Sequence, residues 1–67
     1  MPRKIRDLLK DLRAAGFSID RQKGSHRQFK HPAFKGTVTL SGADNGDAKT
    51  YQERQIAKAI AEVKAKD

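Results

Sequence analysis

Two amphipathic stripes, one near each end, limit what this chain can fold into. Ile5, Leu8, Leu9 and Leu12 recur at helical spacing within residues 3–15, opposite Arg3, Arg6, Lys10 and Arg13. Ile56, Ala59, Ile60 and Val63 form a second stripe, on a helix predicted from Thr50 to about Lys64. Each stripe needs an apolar surface to cover it, and 67 residues hold only one small core. The residues between the helices alternate apolar and polar, which predicts strands. Short connections favour antiparallel neighbours, since parallel ones need long crossovers. The expected fold is therefore α+β, in the order α-β-β-β-α. A three-stranded antiparallel sheet carries both helices on one face and leaves the other open. Residues 1–67 form a single domain in this scheme.

The boundaries follow from local chemistry. Gly16 suits the left-handed position beyond the first helix, and Phe17 can then close back on Leu12 in a Schellman-type cap. Phe17 to Arg21 reads as the first strand, with Phe17 and Ile19 inward. A three-residue loop, Gln22-Lys23-Gly24, keeps the faces of the next strand consistent. That register sets Phe17 opposite Phe29, Ser18 opposite Gln28 and Asp20 opposite His26. His31-Pro32 ends the second strand because proline cannot donate to a ladder. Phe34 reads as a loop anchor and Thr37–Leu40 as the third strand, with Val38 and Leu40 inward. The polar stretch from Ser41 to Lys49 reads as a mobile loop. Thr50 and Glu53 then have the spacing of a capping box.

Charge narrows the range of partners. The formal charge is +7, and residues 1–40 carry ten Lys/Arg against three acids, while residues 41–67 carry five of each. A positive field concentrated in the first helix and the strands favours nucleic acid or another polyanion, and an acidic protein partner fits the same field. Cysteine is absent, which rules out disulfides and thiolate ligands. No apolar run approaches the roughly 20 residues that cross a bilayer, so no membrane partner is expected. The N-terminus lacks an apolar signal core, which makes the cytoplasm the expected location.

The most unusual stretch is Lys23 to Pro32, where two histidines, a hydroxyl and three cations surround the single aromatic Phe29. On a strand, His26, Gln28 and Lys30 share one face while Arg27 and Phe29 share the other. Phe29 anchors the strand, and His26 is displayed on the open face with Ser18, Asp20, Gln28, Lys30, Thr37 and Thr39. Histidine is the side chain suited to moving a proton near neutral pH. Asp20 is the candidate to orient it. Lys23, Ser25, Arg27, Gln28 and Lys30 are the candidates to bind RNA, and Gly24 shapes the turn. Arg27 has to reach around an edge to do so. RNA carries its own nucleophile, the 2′-hydroxyl, so one base and a few cations suffice without a metal or other cofactor. His31 is a possible auxiliary group. The odd separation of His26 and His31 points them to opposite faces, so zinc is not expected. A non-catalytic RNA-binding module would use the same fold and charge. A DNA reader is disfavoured because both helical stripes are committed to the core.

These residues resemble the HicA family of mRNA interferase toxins from toxin–antitoxin systems. The likeness runs from the leucine-bearing helix and Gly16-Phe17 through Gly24-Ser25-His26-Arg27-Gln28-Phe29 to His31-Pro32. It implies a fold like a double-stranded-RNA-binding domain and ribonuclease activity on mRNA, with His26 as the catalytic histidine. It also implies a HicB-like antitoxin that covers the active surface, with operator DNA bound only through the toxin–antitoxin complex. After Leu40 the chain departs from the family pattern. Its polar loop at 41–50 replaces a proline-histidine stretch found in many members, and no residue clearly stands in for that second histidine.

Overall fold

The computed structural model describes residues 3–66. Its elements run α1 (Ile5–Ala14), β1 (Ser18–Lys23), β2 (His26–His31), β3 (Phe34–Ser41) and α2 (Thr50–Ala65). The strands form one antiparallel sheet in the order β1-β2-β3, as expected for a meander. Ile5, Leu8, Leu9 and Leu12 of α1 and Ile56, Ala59 and Val63 of α2 share a single core with Phe29, Val38 and Leu40 of the sheet. Both helices therefore lie on one face, and the stripes are buried where their spacing placed them except at Ile60, which is half-buried. No helix among the described residues is long and apolar enough to cross a membrane.

The end of α1 is built as its sequence implies. The Gly16 N–H donates to Arg13 O at 3.0 Å and the Phe17 N–H to Leu12 O at 2.9 Å, the two bonds of a Schellman motif. Gly16 sits at φ 96°, and a Cβ there would stand 3.0 Å from His31 Nε2. Turn geometry and close packing both call for glycine at this position. Phe17 is buried against the His31 ring, with centroids 5.0 Å apart, and meets Phe34 edge-on at 5.6 Å. Phe34 is thus an anchor, but it opens β3 instead of lying in a loop before it. Residues 35–37 form an irregularity in β3 around Gly36 at φ 95°, so the strand starts earlier than Thr37.

The β1–β2 register differs from the expected one. The hairpin turn has two residues, Gly24 and Ser25, with Lys23 paired to His26. Gly24 occupies the first central position at φ 59°, the glycine-first pattern of a tight hairpin. Parity is restored by a bulge at Asp20, since Ile19 pairs with Phe29 while Arg21 pairs with Gln28. Ser18 faces Lys30, and Asp20 is not opposite His26. Beyond Ile19 the strand has no apolar residue to penalise a shift, so a bulge and a tight turn replace the longer loop.

The stretch between β3 and α2 is held at many points, not left mobile. The first N–H groups of a helix have no partner inside it. Here Ile5 N–H donates to Gly46 O and Arg6 N–H to Asp44 O, both at 2.9 Å. Lys4 Nζ pairs with Asp47 at 2.6 Å, and Ala48 is buried. The start of α2 lies one residue from the expected box: Lys49 is the cap, and its N–H donates to Gln52 Oε1 at 2.9 Å. On the surface, a side-chain hydrogen bond to Asp11 raises the Arg3 guanidinium above its ordinary pKa.

Phe29 is fully buried at the centre of the sheet. Phe29→Ala should cost about 3–5 kcal/mol, against a total of about 0.05–0.15 kcal/mol per residue for a typical domain. Urea titration followed by circular dichroism should find the variant largely unfolded in buffer.

Candidate functional site

The open face of the sheet gathers its groups from all three strands. His26, at the start of the central strand, pairs with Lys23 on one side and Ser41 on the other. Gln28 lies two residues on, between Arg21 and Thr39. Directly opposed residues share a face, so Arg21, Lys23, His26, Gln28, Thr39 and Ser41 form one surface. A depression of about 490 Å³ is lined by Arg21, Gln22, Lys23, His26, Gln28 and Thr39. A groove of similar size, about 530 Å³, runs between the helices, but alanines and Ile60 dominate it and only Asp11 and Lys64 bring charge. The depression on the sheet contains a histidine, His26; the groove between the helices contains none.

The bulge at Asp20 makes this cluster. It turns Arg21 and Lys23 onto the face of His26, where unbroken alternation would have put Asp20. Neither Arg21 nor Lys23 has an ion-pair partner among the described residues. Their charge remains available to an anion. Asp20 instead lies 3.6 Å from Lys30 and partly offsets that cation. It makes no hydrogen bond to His26 among the described residues.

The group that touches His26 is Ser41, whose Oγ lies 2.9 Å from Nδ1. Nε2 has no hydrogen-bond partner among the described residues, and the imidazole is exposed. This leaves a ring held at one nitrogen with the other open to a ligand. Which nitrogen carries the proton depends on whether Ser41 donates or accepts.

The other candidates divide. Gly24 makes the turn, as expected, and Gln22 Nε2 braces it by donating to Gly24 O at 3.2 Å. Ser25 lies exposed beside it. Gln28 and Lys30 are on the open face. Arg27 is on the inner face, opposite Gln22 and Leu40, and its side chain is largely buried. Its guanidinium donates to Asp44 at 2.7 Å and to Gly42 O at 3.4 Å. Arg27 therefore clamps the 41–49 segment to β2 instead of reaching around to the open face. His31 also lies inward: its Nδ1 accepts from the Ala33 N–H at 2.9 Å, and its ring packs on Phe17. The two histidines occupy opposite faces.

Two members of the surface, Arg21 and Ser41, were not among the sequence candidates. The bulge that presents Arg21 leaves no mark in a run of polar residues. Ser41 did have a signal, because Thr37, Thr39 and Ser41 alternate with Val38 and Leu40. Extending the third strand by one residue would have put Ser41 on the open face.

If Arg27 and Asp44 hold the segment together, Arg27→Ala and Asp44→Ala should each accelerate hydrogen exchange at the Ile5 and Arg6 amides. Each should also cost about 1 kcal/mol, and the double variant should lose less than the sum of the two in urea unfolding.

The profile of the family described as HicA toxin of bacterial toxin–antitoxin matches residues 5–61, which span α1 to most of α2. No curated protein and no solved structure matches the chain.

Proposed function

The chain belongs to the HicA toxin family, and from that membership we propose that it is an endoribonuclease that cleaves mRNA through His26 and thereby arrests translation. The observation that carries the proposal is the exposed His26 ring, tethered at Nδ1 and open at Nε2, inside a depression rimmed by Arg21 and Lys23. The RNA 2′-hydroxyl supplies the nucleophile. His26 Nε2 takes its proton as O2′ bonds to phosphorus, and the bond from phosphorus to the 5′-oxygen breaks. The leaving 5′-oxygen takes a proton from water, so the products are a 2′,3′-cyclic phosphate and a 5′-hydroxyl. Arg21 and Lys23 neutralise charge that builds on the phosphoryl oxygens, aided by Lys30 at the far end of the face. Gln28, Thr39 and Ser25 offer hydrogen bonds to phosphate and sugar. This chemistry requires no metal, because the nucleophile is part of the substrate.

The natural partner in this scheme is a HicB-like antitoxin that covers the open face. Its acidic groups would meet Arg21, Lys23 and Lys30. Operator DNA would be bound only by the toxin–antitoxin complex.

Labelled single-stranded RNA incubated in EDTA should be cut by the wild type to cyclic-phosphate ends, with matched DNA left intact. His26→Ala should retain RNA binding and lose cleavage by at least about 100-fold. Binding without cleavage, equal in the two proteins, would leave a non-catalytic RNA-binding module. Arg21→Ala and Lys23→Ala should each weaken binding and lower the slope of log affinity against log salt by about 0.7.

A further inference from the structure

We propose that Ser41 is a positioning residue that sets the tautomer of His26, and that Gln52 is the strut that holds Ser41 in place. The proposal rests on His26 being the base in RNA cleavage, and it adds which nitrogen acts and what makes it act.

Ser41 is the last residue of β3, where the ladder gives out and a strand end would ordinarily fray. It is tied at two points. Its hydroxyl meets His26 Nδ1 at 2.9 Å, and its carbonyl accepts a hydrogen bond from Gln52 Nε2 at 2.9 Å. Gln52 is itself held at its other end, where Oε1 accepts the Lys49 N–H at 2.9 Å. At 7% exposure it is the one buried polar side chain among the described residues. Burying an amide is costly unless its groups are bonded. Gln52 meets that cost by joining the first turn of α2 to the end of β3. A continuous chain of contacts thus runs from Lys49 through Gln52 and Ser41 to the imidazole.

A serine hydroxyl can donate or accept. Nε2 is a base only when the neutral ring carries its proton on Nδ1, so Ser41 Oγ must accept from Nδ1–H. That bond persists when Nε2 takes the 2′-hydroxyl proton, because the imidazolium still donates from Nδ1. Proton uptake then needs no rearrangement of the partner. The carboxylates that might have done this work are engaged elsewhere, Asp20 with Lys30 and Asp44 with Arg27. Ser41 orients the ring without adding a charge.

The test is nitrogen NMR of the full chain labelled in histidine, read on the neutral imidazole form, alongside RNA cleavage. The wild type should carry the His26 proton on Nδ1. Ser41→Ala should move it to Nε2 and lower kcat about tenfold, the scale on which orienting partners of functional imidazoles act, with KM unchanged. Ser41→Thr should restore both. Gln52→Glu keeps the acceptor for Lys49 N–H but loses the donor to Ser41, and should shift the tautomer in the same direction as Ser41→Ala. A wild-type proton on Nε2, or one that stays on Nδ1 in Ser41→Ala, would overturn the proposal whatever the cleavage rate. The expected tautomers with no cleavage by the wild type would support Ser41 as the orienting group and remove the ribonuclease assignment alone.

Discussion

Burial of Phe29 is the constraint on which the rest depends. It is the only large apolar side chain on the central strand, and both helices close over the face to which it points. In a strand, committing one residue to a face commits its neighbours as well. With Phe29 inward, His26 and Gln28 must face outward, so one packing choice builds the core and exposes the imidazole. A chain this small has no second core to compensate for its loss.

The segment between β3 and α2 serves three ends at once. Its carbonyls satisfy the first amides of α1, and its two paired acids, Asp44 and Asp47, hold Arg27 and Lys4. Its first residue, Gly42, accepts from Arg27, directly after Ser41, the end of β3, which meets His26. Individually, exposed ion pairs contribute little. Here they act together with backbone hydrogen bonds that would otherwise be unmade. The pairing also shapes the field. With Lys4 and Arg27 engaged and Lys30 partly offset by Asp20, Arg21 and Lys23, unpaired among the described residues, concentrate positive charge beside His26.

Much of the fold was legible because its signals repeat. Leucines and isoleucines at helical spacing identify both helices, and Gly16 followed by Phe17 marks the end of α1. Phe29, Val38 and Leu40 mark the inner face of the sheet. His26 stood out for the same reason: it alternates with Phe29 across a strand whose inward side was clear. Strand alternation puts Arg27 on the inner face, as observed, but its charge suggested a reach around the edge to RNA, whereas it pairs with Asp44. The 41–49 segment looked mobile because its composition is polar, and composition does not show that α1 supplies partners for its carbonyls.

By itself, the sequence determined the order of elements, most of the core residues and the outward display of His26, although Ile19, expected inward on the edge strand, is exposed. Each follows from local spacing and from the need to bury apolar side chains. Tertiary structure alone decided who stands beside His26. The bulge at Asp20 exchanges an acid for Arg21 and Lys23, and Gln52 brings Ser41 to the ring. Those outcomes depend on hydrogen bonds between segments far apart in the chain, and polar residues at a strand end or bulge carry no periodic pattern from which to read them.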